Sequence, residues 1–163
     1  MKSRNMVRCG CCAALMTLCA WMSVSVGQMA VTMQTFGVFL TLLLLGGGSG
    51  TAACCVYLLL GALGLPVFSG FQGGLGVLFG PTGGYLFGFV LLGLCYWWGK
   101  KPLGEIGALL LGLLICYGCG TAWFYFMYGG SWKIVLLKCV LPYLLPDGCK
   151  LFLALSVGKR LRK

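Results

Sequence analysis

Two charged side chains three positions apart interrupt an apolar run in "LPDGCKLFLAL", residues 145–155: Asp147 and Lys150. On a helix, positions i and i+3 share a face. A carboxylate acceptor and an ammonium donor would stand side by side there, each offsetting a burial that is costly for an isolated ion. A plainer reading has Asp147, after Pro146, capping the N-terminus of the last helix while Lys150 snorkels to a membrane interface. The two roles are compatible. A second constellation is "CYGC", 116–119, which has the spacing of a thiol redox motif. It lies in an apolar run with no basic neighbour to activate a thiol, so packing is the stronger reading. A membrane thiol oxidoreductase using Cys116 and Cys119 stands as the alternative. Most of the 11 cysteines fall in similar apolar surroundings, where a free thiol behaves as a small hydrophobe. The chain contains no histidine, which excludes a His-containing zinc site, and no metal is expected.

The elements that must carry these residues belong to a membrane. The chain is 60% hydrophobic and 9% charged, whereas soluble domains are about one-quarter charged. Runs such as "LGALLLGLLICYGCG" could not form a solvated surface. Helices satisfy their own backbone in a bilayer, and the short alternating segments of a transmembrane barrel are missing from the sequence. The formal charge of +10 does not indicate nucleic acid. Nine of the twelve basic residues sit in three flanks: Lys2, Arg4 and Arg8; Lys100 and Lys101; and Lys159, Arg160, Arg162 and Lys163. That is the distribution of cytoplasmic anchors, with contact to anionic lipid a further use.

An all-α bundle of six transmembrane helices fits the sequence, in one domain spanning 1–163. The expected helices cover about 9–28, 32–45, 50–63, 83–98, 103–128 and 147–158. The first is read as a retained span rather than a secretory signal, because no convincing small-residue cleavage site follows it. An even number of spans places both basic ends and the Lys100/Lys101 turn in the cytoplasm of a multi-pass cell-membrane protein. Lys133 and Lys138 are misfits to this count. Residues 64–82, "GLPVFSGFQGGLGVLFGPT", are too rich in glycine and proline for a helix and too apolar for a solvated loop. Backbone of that kind at membrane depth is tolerated where protein covers it or where it lines a cavity. The first case would make it a shielded surface loop, and the second would offer its N–H and C=O groups to a ligand. "GYLFG", Gly84 to Gly88, is a small-xxx-small pattern suited to close helix contact.

These residues also carry a resemblance. "GALGLPVFSGFQGGLGVLFGPTGGYLFGF", 61–89, resembles the signature of the BioY family, and "VTMQTFGVF", 31–39, resembles the segment entering the family's second helix. "GTAWFYF", 120–126, and "LPYLLPDGCKLFLA", 141–154, are similar to its fifth helix and the opening of its sixth. The loop motifs are Gly64, Pro66 and Phe68, followed by Gly80, Pro81, Thr82, Gly83 and Gly84. The resemblance implies a six-helix, biotin-binding membrane component of an energy-coupling-factor transporter. Its pocket would lie near the outer face, and it would work with a membrane coupling subunit and two ATPases.

In the pocket so implied, Asp147 accepts from the ureido N–H of biotin and Lys150 donates to the ureido oxygen. Gln72 and Gln34 are candidates to pair with a ureido or carboxylate oxygen, and Tyr85 and Trp123 could wall the bicycle. Backbone N–H groups of the glycine-rich segment could hold the tail carboxylate. Ala13 and Thr17 stand where the family's Ala-xxx-Ala docking pattern falls, with Thr departing from it, and the last helix is expected to end soon after Val157. "WGKK", 98–101, lacks the spacing and the Ser or Thr of a phosphate loop. ATP hydrolysis is therefore assigned to partners, with no enzyme activity and no cofactor in this chain. The rival readings are another vitamin handled by the same transporter system, the thiol oxidoreductase, and a structural or assembly protein that binds no small molecule.

Overall fold

A computed structural model describes residues 3–26, 29–129 and 131–162. Helix α1, Ser3–Trp21, leads into an antiparallel hairpin of β1, Ser23–Val26, and β2, Met29–Thr32. The register pairs Ser23 with Thr32 and Val26 with Met29. Helix α2, Gln34–Ala62, precedes an irregular segment that holds a 3-10 turn, Ser69–Phe71, and the short α3, Leu75–Leu78. Then come α4, Gly83–Tyr128, α5, Trp132–Cys139, and α6, Leu141–Leu161. Helix α2 is the hub, packed against α1, α4 and α6 around a core that includes Met16, Phe39, Leu42, Tyr57, Leu92, Tyr96 and Leu109.

The two longest helices each double back at a glycine. Gly46 in α2 (φ 77°, ψ 178°) and Gly104 in α4 (φ 73°, ψ 175°) leave the helical region for one residue. Both have positive φ, which costs glycine nothing and strains any residue with a Cβ. Across the first turn, a Cβ on Gly50 would stand 3.1 Å from the Cα of Leu42. Across the second, Cβ atoms on Gly112 and Gly88 would each stand 3.1 Å from a Cα, of Leu92 and Cys116 respectively. Missing side chains therefore let the two halves of each helix approach at backbone distance. Gly88 belongs to the small-residue pair expected to do this.

Several expected boundaries are corrected. The first helix begins at Ser3 and stops at Trp21 rather than spanning 9–28. The alternating, β-branched "SVSV" that follows suits a strand better than a helix, and residues 27 and 28 lie outside the described residues. The expected helices 32–45 and 50–63 form one element, 34–62, in which the connection shrinks from "GGGSG" to Gly46. Likewise 83–98 and 103–128 are joined, and the turn lies at Gly104 rather than Lys100/Lys101. The last helix is 141–161, not 147–158. Pro142 sits in its first turn, where no backbone N–H is needed, and Pro146 is carried within it. Its end is not early: it runs past Val157 to Leu161. Lys133 lies on α5, and the side chain of Lys138 lies outside the described residues.

Five contacts gather the basic flanks at one end of the bundle. Cys9 Sγ is 3.4 Å from the Ser49 carbonyl, and Gly47 abuts Trp97. A Cβ on Gly158 would stand 3.3 Å from the Leu43 side chain, and Arg162 donates to Glu105 at 2.7 Å. Lys100 meets the same carboxylate at 2.8 Å. The start of α1, the end of α6 and both glycine turns therefore share this end. The hairpin and the 64–82 segment occupy the other, where Trp21 Nε1 donates to the Pro66 carbonyl.

Candidate functional site

Asp147 lies in the second turn of α6 and is not its cap, so its carboxylate is free to project sideways into the bundle. Asp147 and Lys150 are only 3% and 5% exposed. Lys150 Nζ donates to Oδ1 at 2.6 Å, and Tyr117 OH, from the second half of α4, donates to Oδ2 at 2.6 Å. Burial of the carboxylate is thus met by one opposite charge and one hydroxyl. Two short charge-assisted bonds hold both oxygens in place, while each oxygen keeps further lone-pair capacity for another donor.

This triad forms the floor of a cavity of about 540 Å³, within the roughly 300–1,000 Å³ of small-molecule sites. Its walls are Phe68, Leu86, Phe89 and Leu113, with Tyr85 and Tyr143 beside them. Uncharged polar groups line the rest: Ser23, Thr32, Gln34, Thr35, Ser69, Gln72 and Thr82. The lining runs from buried residues, Asp147, Lys150 and Gln34 among them, to exposed ones, Gly70, Gln72 and Gly76, which belong to the glycine-rich segment that forms the rim.

That segment is ordered by bonds to the helices beneath it. Gly74 N–H donates to the Gly61 carbonyl at 2.7 Å, and Tyr57 OH donates to the Val67 carbonyl at 2.9 Å. The Phe68 ring meets Tyr57 edge-on at 5.6 Å and sits on Gly61, where any side chain would collide with it. Gln34 Nε2 donates in turn to Tyr57 OH, and Gln34 also accepts from Thr32 at 3.4 Å. One polar chain thus joins the hairpin, α2 and the rim.

A model of the BioY family matches residues 1–163. The chain belongs to the BioY family. A protein described as "Biotin transporter BioY" from Thermotoga maritima is 38% identical over 164 residues, covering 98% of this chain and 96% of that protein. A "Probable biotin transporter BioY" from Pyrococcus horikoshii is 35% identical, with 99% and 98% covered. The fold is similar to a solved structure described as the S-component for biotin from an ECF-type ABC transporter. There the TM-score is 0.91 at 24% identity, over 99% of this chain and 92% of that one.

The fold of this BioY-family chain brings together five of the six side chains singled out for a ligand: Asp147, Lys150, Gln34, Gln72 and Tyr85 all line the cavity. Trp123 is placed differently. Its Nε1 donates to the Gly80 carbonyl at 3.0 Å, and its ring stands 6.5 Å from that of Phe79, so it fastens the rim from behind. Gly84 gives Trp123 that space, since a Cβ there would collide with it. Gly80, Pro81 and Thr82 line the cavity, Gly83 fits under the Leu78 carbonyl, and Gly64 turns the chain out of α2 with φ 95°.

Ala13 is 2% exposed in the core against α2, and the Thr17 hydroxyl bonds back to its carbonyl at 3.0 Å. This corrects the expected docking pair, because Ala13 does not reach the outer surface. The small residues on the open face of α1 are Gly10 and Ala14, one helical turn apart. Cys116 is 2% exposed and wedged on Gly88, with its Sγ 3.6 Å from the Tyr85 carbonyl. Nothing in this setting activates a CYGC redox pair. The residue of that motif that lines the cavity and bonds Asp147 is its tyrosine, Tyr117, which the sequence reading passed over. An OH-bearing residue within an apolar helix was the available signal.

Proposed function

We propose that this chain is the substrate-binding membrane subunit of a biotin uptake system. It captures the vitamin without covalent chemistry and needs no cofactor to do so. The observation that carries the reading is the buried Asp147 carboxylate at the floor of the cavity, with Lys150 beside it, in a member of a family whose relatives are described as biotin transporters. The floor is net neutral, which suits the uncharged ureido head: its N–H groups donate to Asp147 and its oxygen accepts from Lys150. Tyr85 and Phe89 flank the bicycle, and Gln34 supplies a fixed amide. Trp123 and the motif from Gly80 to Gly84 shape the rim.

The same proposal extends to the assembly. Three stretches of the described residues are long and apolar enough to cross a membrane, 34–62, 83–128 and 135–161. At about 1.5 Å per residue the 46-residue α4 is more than twice as long as a bilayer core of roughly 30 Å. With the folds at Gly46 and Gly104 each long helix supplies two passages, and α1 and α6 supply one each, making six. The basic end faces the cytoplasm under the positive-inside rule. A membrane coupling subunit docks on the Gly10/Ala14 face of α1, and two ATPase subunits supply the energy.

The test is equilibrium binding of radiolabelled biotin to the purified chain in detergent, alongside Asp147→Asn. A bond to a charged group is worth about 1.5–3 kcal/mol, so the variant is expected to bind roughly 10- to 150-fold more weakly. Unchanged affinity in a well-folded Asp147→Asn protein removes that residue from the site.

A further inference from the structure

The geometry points to a site that recognises the head of biotin and leaves the charge on its tail unread, so that biotin amides and esters are ligands of the same site. This rests on the ureido head occupying the Asp147–Lys150 floor. Among the described residues lining the cavity, Lys150 is the one cation, and its ammonium is already 2.6 Å from Asp147 Oδ1. A ligand carboxylate brought to Lys150 would also face the Asp147 carboxylate, and like charges at contact distance oppose each other. A carboxylate buried without a counter-charge is costly in a low-dielectric interior. The tail must therefore end where the cavity meets water, at the exposed rim of Gly70, Gln72 and Gly76. The rim offers an amide, backbone groups and the nearby Ser69 hydroxyl, which serve an amide or ester as well as a carboxylate. Solvent beyond the rim leaves room for a substituent on the tail. The substrate class is biotin together with its small tail conjugates, including biotin joined through an amide to a lysine side chain.

The experiment is competition against radiolabelled biotin on the purified full chain. The competitors are biotinamide, biotin methyl ester, the lysine conjugate, and diaminobiotin, which lacks the ureido carbonyl. The three tail derivatives are expected to compete within about tenfold of biotin, and diaminobiotin at least about a hundredfold more weakly, the span of one to two lost polar contacts. Gln72→Arg places a cation at the rim and is expected to shift preference toward free biotin over biotinamide by about tenfold, one favourable charge contact. Tight biotin binding with a hundredfold loss for the neutral derivatives overturns the inference while leaving the biotin reading in place. Equal competition by diaminobiotin, or an unchanged ratio in Gln72→Arg, overturns the assigned orientation. If biotin itself does not bind the wild-type chain, the underlying reading falls as well.

Discussion

At the residue scale, the site turns on how two buried charges are kept in a protein with only two acidic residues. Lys150 and Asp147 neutralise each other at 2.6 Å, and each is nearly inaccessible. Removing one partner of a buried pair costs about 3–5 kcal/mol, whereas replacing both with neutral groups is often harmless. Lys150→Met is therefore expected to lower the melting temperature in detergent strongly. The double variant Asp147→Asn/Lys150→Met is expected to regain most of that stability yet bind no biotin. A double variant as unstable as Lys150→Met would show that the lysine acts in packing rather than through its charge. Tyr117→Phe removes one donor from the carboxylate while Lys150 remains. That bond is present before any ligand arrives, so its loss, about 1.5 kcal/mol at the low end, is expected to lower the melting temperature. Biotin binding by the folded variant is expected to weaken about tenfold as the carboxylate loses its orientation, and unchanged affinity would make Tyr117 a packing residue only.

At the element scale, the glycine-rich segment is held by tryptophans at two points. Trp123 bonds the Gly80 carbonyl, and Trp21, the last residue of α1, donates to the Pro66 carbonyl at 2.8 Å and lays its ring 4.8 Å from Phe71. Phe71 is the one described non-glycine residue with positive φ, 58°, so the rim carries backbone strain where Trp21 holds it. Trp21→Ala is expected to speed biotin dissociation about fivefold, corresponding to roughly 1 kcal/mol of hydrogen bond and ring contact, with a smaller effect on association. Chase with excess unlabelled biotin measures this, and an unchanged dissociation rate would rule out a latch.

The same elements show what the sequence made legible. Asp147 and Lys150 were visible because charge is rare in an apolar run, and the segment 64–82 because its glycine and proline content contradicts its hydropathy. Tyr117 and Tyr57 were not, since their roles depend on contacts 30 and 10 residues away in the chain. The hairpin after Trp21 was hidden because a short apolar strand and the end of a membrane helix have similar composition. The turn at Gly104 was misplaced to Lys100/Lys101 because charge draws attention where backbone freedom decides.

At the scale of the whole molecule, the basic flanks and the cavity lie at opposite ends, and this polarity makes orientation testable. Glu105 binds the basic end together: it accepts from Lys100 and from Arg162, joining the fold of α4 to the end of α6. Arg4 and Arg8 on α1 are brought to the same end by the contact of Cys9 with Ser49. The basic flanks at one end, against Lys133 on α5 among the described residues at the other, are the asymmetry that sets membrane orientation. Single-cysteine variants on a cysteine-free background separate the two faces. Ser3→Cys, Lys101→Cys and Arg160→Cys are expected to resist a membrane-impermeant maleimide in intact cells and to react in inverted vesicles. Gly76→Cys, on the rim, is expected to react from outside and to be protected when biotin is present. Labelling of Ser3→Cys and Arg160→Cys on opposite sides would mean an odd number of crossings, and would break the six-passage arrangement even if biotin binding were intact. Labelling of Ser3→Cys, Lys101→Cys and Arg160→Cys from the outside, with Gly76→Cys reacting only in inverted vesicles, would instead reverse the polarity and place the cavity mouth toward the cytoplasm, where a capture protein for an external vitamin could not use it.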